Sequence, residues 1–220
     1  MQESIKYIKK LYQKNYTNLY VFFDYFGEKI AKIGLSANLI TLFGLCIGLL
    51  AMNFVAMQNY MTAIICILLN RFLDGLDGAV ARQNKITDFG IFLDTTCDYV
   101  FYAAIIFGFA IANPEQNAIS AAFLLFAFTV AAVTMLSYTI IAHKKNKSSY
   151  LALNNSPFYF WGIAQGAETF IALILLCLLP SYFMIIAISC GILSLIKAVG
   201  LGINAYYMFE ISEKARHNEK

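Results

Sequence analysis

Residues 71–98 read RFLDGLDGAVARQNKITDFGIFLDTTCD, and their charges decide what kind of protein this is. They are flanked by two apolar runs, YMTAIICILLN at 60–70 and YVFYAAIIFGFAIA at 99–112. Together these stretches predict two helices, 60–82 and 87–112, each close to the roughly 20 residues needed to cross a hydrocarbon core. Yet they hold Arg71, Asp74, Asp77, Asp88, Asp94 and Asp98. An Asp at a helix centre costs about 2.5–3.5 kcal/mol to insert, so four would cost about 10–14 kcal/mol at most. One arginine does not offset that. Such a hairpin either lines a wet cavity or binds something cationic.

The rest of the chain agrees with a bilayer setting. Of 220 residues, 60% are hydrophobic and 13% charged, against about 45–50% apolar in a soluble domain. Too few polar residues remain to coat a globule, which excludes an ordinary soluble domain and a disordered chain. Six spans are predicted, at 38–57, 60–82, 87–112, 117–142, 157–179 and 182–207, with Pro114, Pro157 and Pro180 at their ends. The fold class is therefore an all-α integral membrane protein with six transmembrane helices. Residues 1–36 form a separate amphipathic membrane-surface segment, with Ile5, Ile8, Leu11 and Tyr12 set against Lys6, Lys9, Lys10 and Lys14. Residues 37–220 form the six-helix catalytic domain.

Positive charge sets the orientation. With the N-terminus cytoplasmic, fourteen of the sixteen Lys and Arg fall on the inside, none in outside loops, and only Arg71 and Lys197 within spans. Both termini are expected in the cytoplasm of a bacterial-type inner membrane. The net charge of +3 gives no reason to expect nucleic acid. Cys46, Cys66, Cys97, Cys177 and Cys190 sit in apolar runs without a CxxC pair, which argues against disulfides and zinc.

Spacing sharpens the acidic signal. Asp74 and Asp77 are i, i+3 and Asp94 and Asp98 are i, i+4, so each pair shares a helix face. In an antiparallel hairpin turning near residues 85–86, Asp98 falls opposite Asp74 and Asp94 opposite Asp77. At about 1.5 Å per residue, Asp77 lies roughly 7 Å and Asp74 roughly 12 Å below Arg82, so the mouth of the site is cytoplasmic. Gly75, Gly78 and Gly90 remove bulk around the acids. Oxygen-only ligands suit Mg²⁺, Mn²⁺ or Ca²⁺, and four carboxylates suffice for two ions, the arrangement used in phosphoryl transfer. Arg82 fits a phosphate clamp.

These residues resemble the signature of the CDP-alcohol phosphotransferases, D-x2-D-G-x2-A-R, about eight residues, then G-x3-D-x3-D. Asp74, Asp77, Gly78, Ala81, Arg82, Gly90, Asp94 and Asp98 fill it, with seven residues between its halves. Ser36-Ala37-Asn38-Leu39-Ile40-Thr41 resembles the family's P-N-x-x-T, with Ala37 in place of proline. The resemblance implies a CDP-linked lipid donor, CDP-diacylglycerol or a CDP-amino alcohol, an alcohol acceptor and release of CMP. It implies that Asp74, Asp77 and Asp94 bind two divalent ions, Mg²⁺ or Mn²⁺. Asp98 would add to the metal site and act as base on the acceptor hydroxyl. Asn38, Thr41, Gly78, Ala81 and Arg82 would border the CMP. A homodimer is implied too.

Other polar residues carry two readings each. Lys197, at the depth of the acidic layers, is expected to contact acceptor phosphate or donor diphosphate, or to pair with an acid. Arg71 either pairs with the carboxylates or contacts the acceptor. Glu168 makes a packing hydrogen bond, pairs with Arg71 or Lys197, or meets substrate. Gly44-x3-Gly48 predicts close helix packing, and Tyr99, Tyr102, Phe158, Tyr159 and Trp161 read as interface anchors. A small ion transporter is the competing class, since intramembrane acids also mark ion paths. All the acid here lies in one hairpin with no mirrored second half, unlike inverted-repeat transporters. The acceptor is open among glycerol 3-phosphate, inositol or its phosphate, serine and choline.

Overall fold

The computed structural model describes residues 21–144 and 165–211. The Ile5–Tyr12 face, Lys145, Lys147, Phe158, Tyr159, Trp161 and the charged residues after 211 lie outside them. Among the described residues the chain is wholly helical. The helices are α1 (residues 21–32), α2 (Ala37–Ala56), α3 (Tyr60–Gln83), α4 (Asp88–Ala112), α5 (Pro114–Lys144), α6 (Gln165–Leu178) and α7 (Phe183–Tyr206). A 3-10 turn at Pro180–Tyr182 leads into α7, and a π turn at Tyr207–Ile211 follows it.

Local chemistry sets the boundaries. After α1 the chain turns at Gly34, whose φ of +84° suits a residue without a Cβ. Ser36 caps α2, its hydroxyl accepting from the Leu39 amide at 3.3 Å. Thr87 caps α4 in the same way, accepting from the Gly90 amide at 3.0 Å. Helix α5, the fourth predicted span, starts at Pro114, three residues earlier than its hydropathy suggested. Pro114 occupies its first turn, where a missing N–H costs nothing, and the Asn113 side chain accepts from the Gln116 amide at 3.3 Å.

Among the described residues, four helical segments are long and apolar enough to cross a membrane: Ala37–Ala56, Asp88–Ala112, Pro114–Lys144 and Pro180–Glu210. Helix α3 has the length, 24 residues, but carries the charges. The described part of the fifth predicted span has 14. Outward faces are apolar, as a lipid solvent requires. Ile119, Phe126, Val133 and Ile140 form an exposed stripe at seven-residue spacing on α5, and Ile185, Ile192, Val199 and Tyr206 form another on α7. In water such stripes would be aggregation surfaces.

The chain folds as two compact units. The first comprises the described residues through Phe54 together with Met61–Ile105. In it, Ile67, Val80, Phe101 and Ile105 are fully buried. Gly48 admits the Phe101 ring, where a Cβ would come within 2.6 Å of it, so the Gly44-x3-Gly48 face does serve packing within the chain. The second comprises Val55–Tyr60 and the described residues from Ile106 onward. There Phe109 stacks on Phe183 with centroids 4.7 Å apart, and Gly191 of α7 receives Phe123 of α5. Cys97 and Cys177 are buried free thiols, small core residues rather than bridges.

Candidate active site

The site lies within the first unit. Helices α3 and α4, joined by a four-residue turn, bring Asp74, Asp77 and Asp94 together with one carboxylate oxygen from each lying within 4.8 Å of the others. Asp77 is buried. Thr41, one turn into α2, donates its hydroxyl to Asp77 Oδ2 at 2.5 Å. A small cleft opens onto these groups, lined also by Gly44, Leu45, Asn70, Arg71, Cys97 and Asp98.

Asp98 is engaged differently. Its Oδ1 accepts from Arg71 Nη2 at 2.7 Å. Arg71 also donates to Asn70 Oδ1 from Nε at 2.9 Å and from Nη2 at 2.8 Å, and from Nη1 to the Tyr102 hydroxyl at 3.1 Å and Asp74 at 3.5 Å. Its guanidinium lies over the Phe101 ring, 4.8 Å from the centroid, a contact worth more where water is scarce. Asn70 is itself fixed, donating to the Gly44 carbonyl at 2.8 Å. Arg71 is thus a half-buried cation paired with the carboxylates, one of its two expected readings.

One expectation changes here and another narrows to one of its readings. Tyr102 is no interface anchor: it is buried and its hydroxyl meets Arg71, because α4 turns that face toward α3. Lys197 pairs with Glu168 across α7 and α6 in the second unit, so its ammonium already has a carboxylate. The other predicted residues lie on α2 and α3. The Asn38 side chain lies against Gly90, where a Cβ would come within 3.3 Å of its oxygen. Arg82 lies over Gly78, its Nη1 3.4 Å from where a Cβ would stand. Ala81 is half-buried beside it.

Sequence reasoning missed two residues. Asp24 on α1 accepts from Arg82 Nε at 3.1 Å and Nη2 at 2.8 Å. Its signal was an acid inside the aromatic run VFFDYFG at 21–27. Asn70 was the other, an amide ending an apolar run beside Arg71.

Three carboxylates this close repel one another unless a cation joins them, and the set is all oxygen. It fits a hard divalent ion, with Asp74, Asp77 and Asp94 as ligands.

Comparison with known proteins agrees with this chemistry. The CDP-alcohol phosphatidyltransferase family matches residues 35–196. The inner membrane protein YnjF of Escherichia coli is 43% identical over 152 residues, 69% of this chain and 74% of that protein. An archaetidylinositol phosphate synthase of Pyrococcus horikoshii is 42% identical over 86 residues, 39% of this chain and 46% of that protein. In fold, the chain resembles the crystal structure of a Mycobacterium tuberculosis phosphatidylinositol phosphate synthase with CDP-DAG bound. The TM-score is 0.60 at 18% identity, covering 84% of this chain and 93% of that one. With the match spanning most of its length and its apolar helices long enough to cross a bilayer, this chain belongs to the CDP-alcohol phosphatidyltransferases and is an integral membrane protein.

Proposed function

We propose that this protein transfers a phosphatidyl group from CDP-diacylglycerol to the hydroxyl of an alcohol acceptor, releasing CMP. The observation that carries the reading is the convergence of Asp74, Asp77 and Asp94 in a cleft that also exposes a fourth, separately held carboxylate, Asp98. The first three residues hold two divalent ions, Mg²⁺ or Mn²⁺, with Asp98 contributing. When bound, such ions neutralise the diphosphate and the charge on the departing CMP.

The chain's own residues do the rest. Thr41 orients the Asp77 carboxylate, and Asn38, Gly78, Ala81 and Arg82 border the nucleotide. Asp98 takes the proton of the acceptor hydroxyl as its oxygen bonds to phosphorus and the bond to CMP breaks. Arg71 orients Asp98. Lys197 contacts acceptor phosphate only by exchanging Glu168 for it.

The setting is six crossings in an inner membrane, with residues 1–36 on its cytoplasmic surface, the catalytic domain at 37–220 and both termini cytoplasmic. The charge asymmetry supports this orientation, and family membership supports a homodimer. The name of the Pyrococcus relative puts inositol phosphate first among acceptors to try. A CDP-amino alcohol as donor, with a lipid hydroxyl as acceptor, is the second reading, since the signature describes donor chemistry shared by both.

The deciding experiment incubates purified protein with CDP-diacylglycerol, Mn²⁺ or Mg²⁺, and a panel of inositol phosphate, glycerol 3-phosphate, inositol, serine and choline. CMP release and a new lipid mass with one acceptor are expected. CMP release with none of them, but with a CDP-amino alcohol and diacylglycerol, would establish the second reading.

A further inference from the structure

Helix α1 is docked on α3 by a register that two glycines set. The Phe23 ring fills the space left by Gly75, where a Cβ would come within 2.6 Å of it, and packs on Phe72 with centroids 5.6 Å apart. One turn along α1, a Cβ on Gly27 would lie 2.8 Å from the Ala79 Cβ and 2.9 Å from its carbonyl carbon. The two backbones therefore touch there, and any side chain at 27 would lift α1 away. Positions 23 and 27 of α1 meet 75 and 79 of α3, the same four-residue spacing on both helices.

Asp24 lies within this interface, and the close approach lets its short side chain reach Arg82. Both contacts, to Nε and Nη2, use Oδ1. They grip one edge of the guanidinium, while Nη1 lies over Gly78.

We propose that Asp24 is a positioning residue for the donor site, holding Arg82 over Gly78 and making α1 part of the nucleotide-side wall. The proposal rests on the reading of Arg82 and Gly78 as donor contacts. A long arginine side chain at a helix end loses rotamer freedom when it binds an anion. Fixing it beforehand through Asp24 removes that loss from the binding step, which is preorganisation. An anionic donor then meets a guanidinium already aimed. The juxtamembrane helix is on this view a component of donor affinity as well as a contact with the membrane surface.

The test uses the full chain in lipid nanodiscs, with CDP-diacylglycerol varied at fixed acceptor and the acceptor varied at fixed donor. Asp24→Asn, Asp24→Glu, Arg82→Gln and the Asp24→Asn/Arg82→Gln pair are compared, with thermal midpoints measured alongside. Asp24→Asn should raise the donor KM about 3–10-fold, the scale of weakening a charge-assisted contact to a neutral one, with acceptor KM unchanged. Asp24→Glu should recover part of the loss, and the double variant should be no worse than Arg82→Gln alone. A raised donor KM in Arg82→Gln with a wild-type value in Asp24→Asn would overturn the role of Asp24 while leaving Arg82 a donor contact. Wild-type donor KM in Arg82→Gln would instead remove the reading of Arg82 and this proposal with it. A lowered thermal midpoint in Asp24→Asn, with both KM values and kcat shifted together and no rescue by Glu, would make Asp24 a merely structural contact and overturn the proposal.

Discussion

Arg71 and Asp98 are joined at 2.7 Å, and this contact separates the fourth carboxylate from the other three. The five N–H groups of Arg71 have five contacts, all to Asn70, Asp74, Asp98 and Tyr102. A guanidinium so committed has no edge left for an acceptor phosphate. It holds the Asp98 carboxylate at the wall of the cleft.

Arg71→Gln should therefore lower kcat by about 10²-fold, the usual consequence of misplacing a reacting group. Arg71→Lys should recover little, because one ammonium cannot bridge Asn70, Asp98 and Tyr102 as a planar fork does. Steady-state kinetics check this. A rise in acceptor KM with kcat intact would show that Arg71 binds acceptor after all.

Asp98→Asn should retain donor binding, measured by calorimetry, and lose about 10²–10⁴-fold in kcat, the contribution of a positioned base. Additional Mn²⁺ should not restore the rate. Full restoration in a metal-titrated rate curve would make Asp98 a ligand only.

The contact between Thr41 and Asp77 predicts a graded effect on the metal site. Asp77→Asn or Asp94→Asn should abolish turnover without unfolding the protein, and excess chelator should do the same. Thr41→Val removes the donor that orients Asp77 and should cost about 10–100-fold in Mn²⁺ affinity, as loss of an orienting partner does. Mn²⁺ binding followed by electron paramagnetic resonance checks this without recourse to turnover.

Packing at Gly48 yields a stability prediction. A Cβ there would come within 2.6 Å of the buried Phe101 ring, so Gly48→Ala should destabilise by about 1–3 kcal/mol through overpacking. Thermal unfolding in detergent, followed by exposure of Cys97, reads it directly. An unchanged midpoint would mean that Phe101 can repack.

Orientation is checked by labelling single cysteines in a cysteine-free background. Cysteines replacing Gln58 and Gln116 should react with an impermeant reagent added from outside, and one replacing Lys145 should not. Reaction at 145 would invert the topology.

The sequence alone determined the membrane class, the helical hairpin and its acidic layers. Composition states the solvent, and spacings of three and four residues put Asp74 with Asp77 and Asp94 with Asp98 on shared faces whatever surrounds them. Motif spacing was enough to reach the family. What only the tertiary structure decided was the partner of each charge. Helices α2, α4, α5 and α7 are apolar nearly all round, so periodicity cannot say which face turns inward. That is why Tyr102 read as a rim residue and proved to be a buried partner of Arg71. For Lys197 both an acid partner, Glu168, and a substrate contact could be named from the sequence, and only the packing of α6 against α7 chose the acid. Asp24 and Arg82 lie 58 positions apart, and no local pattern links them. Their meeting depends on Gly27 and Gly75 letting two helices close to contact, a property of the packed pair rather than of either segment.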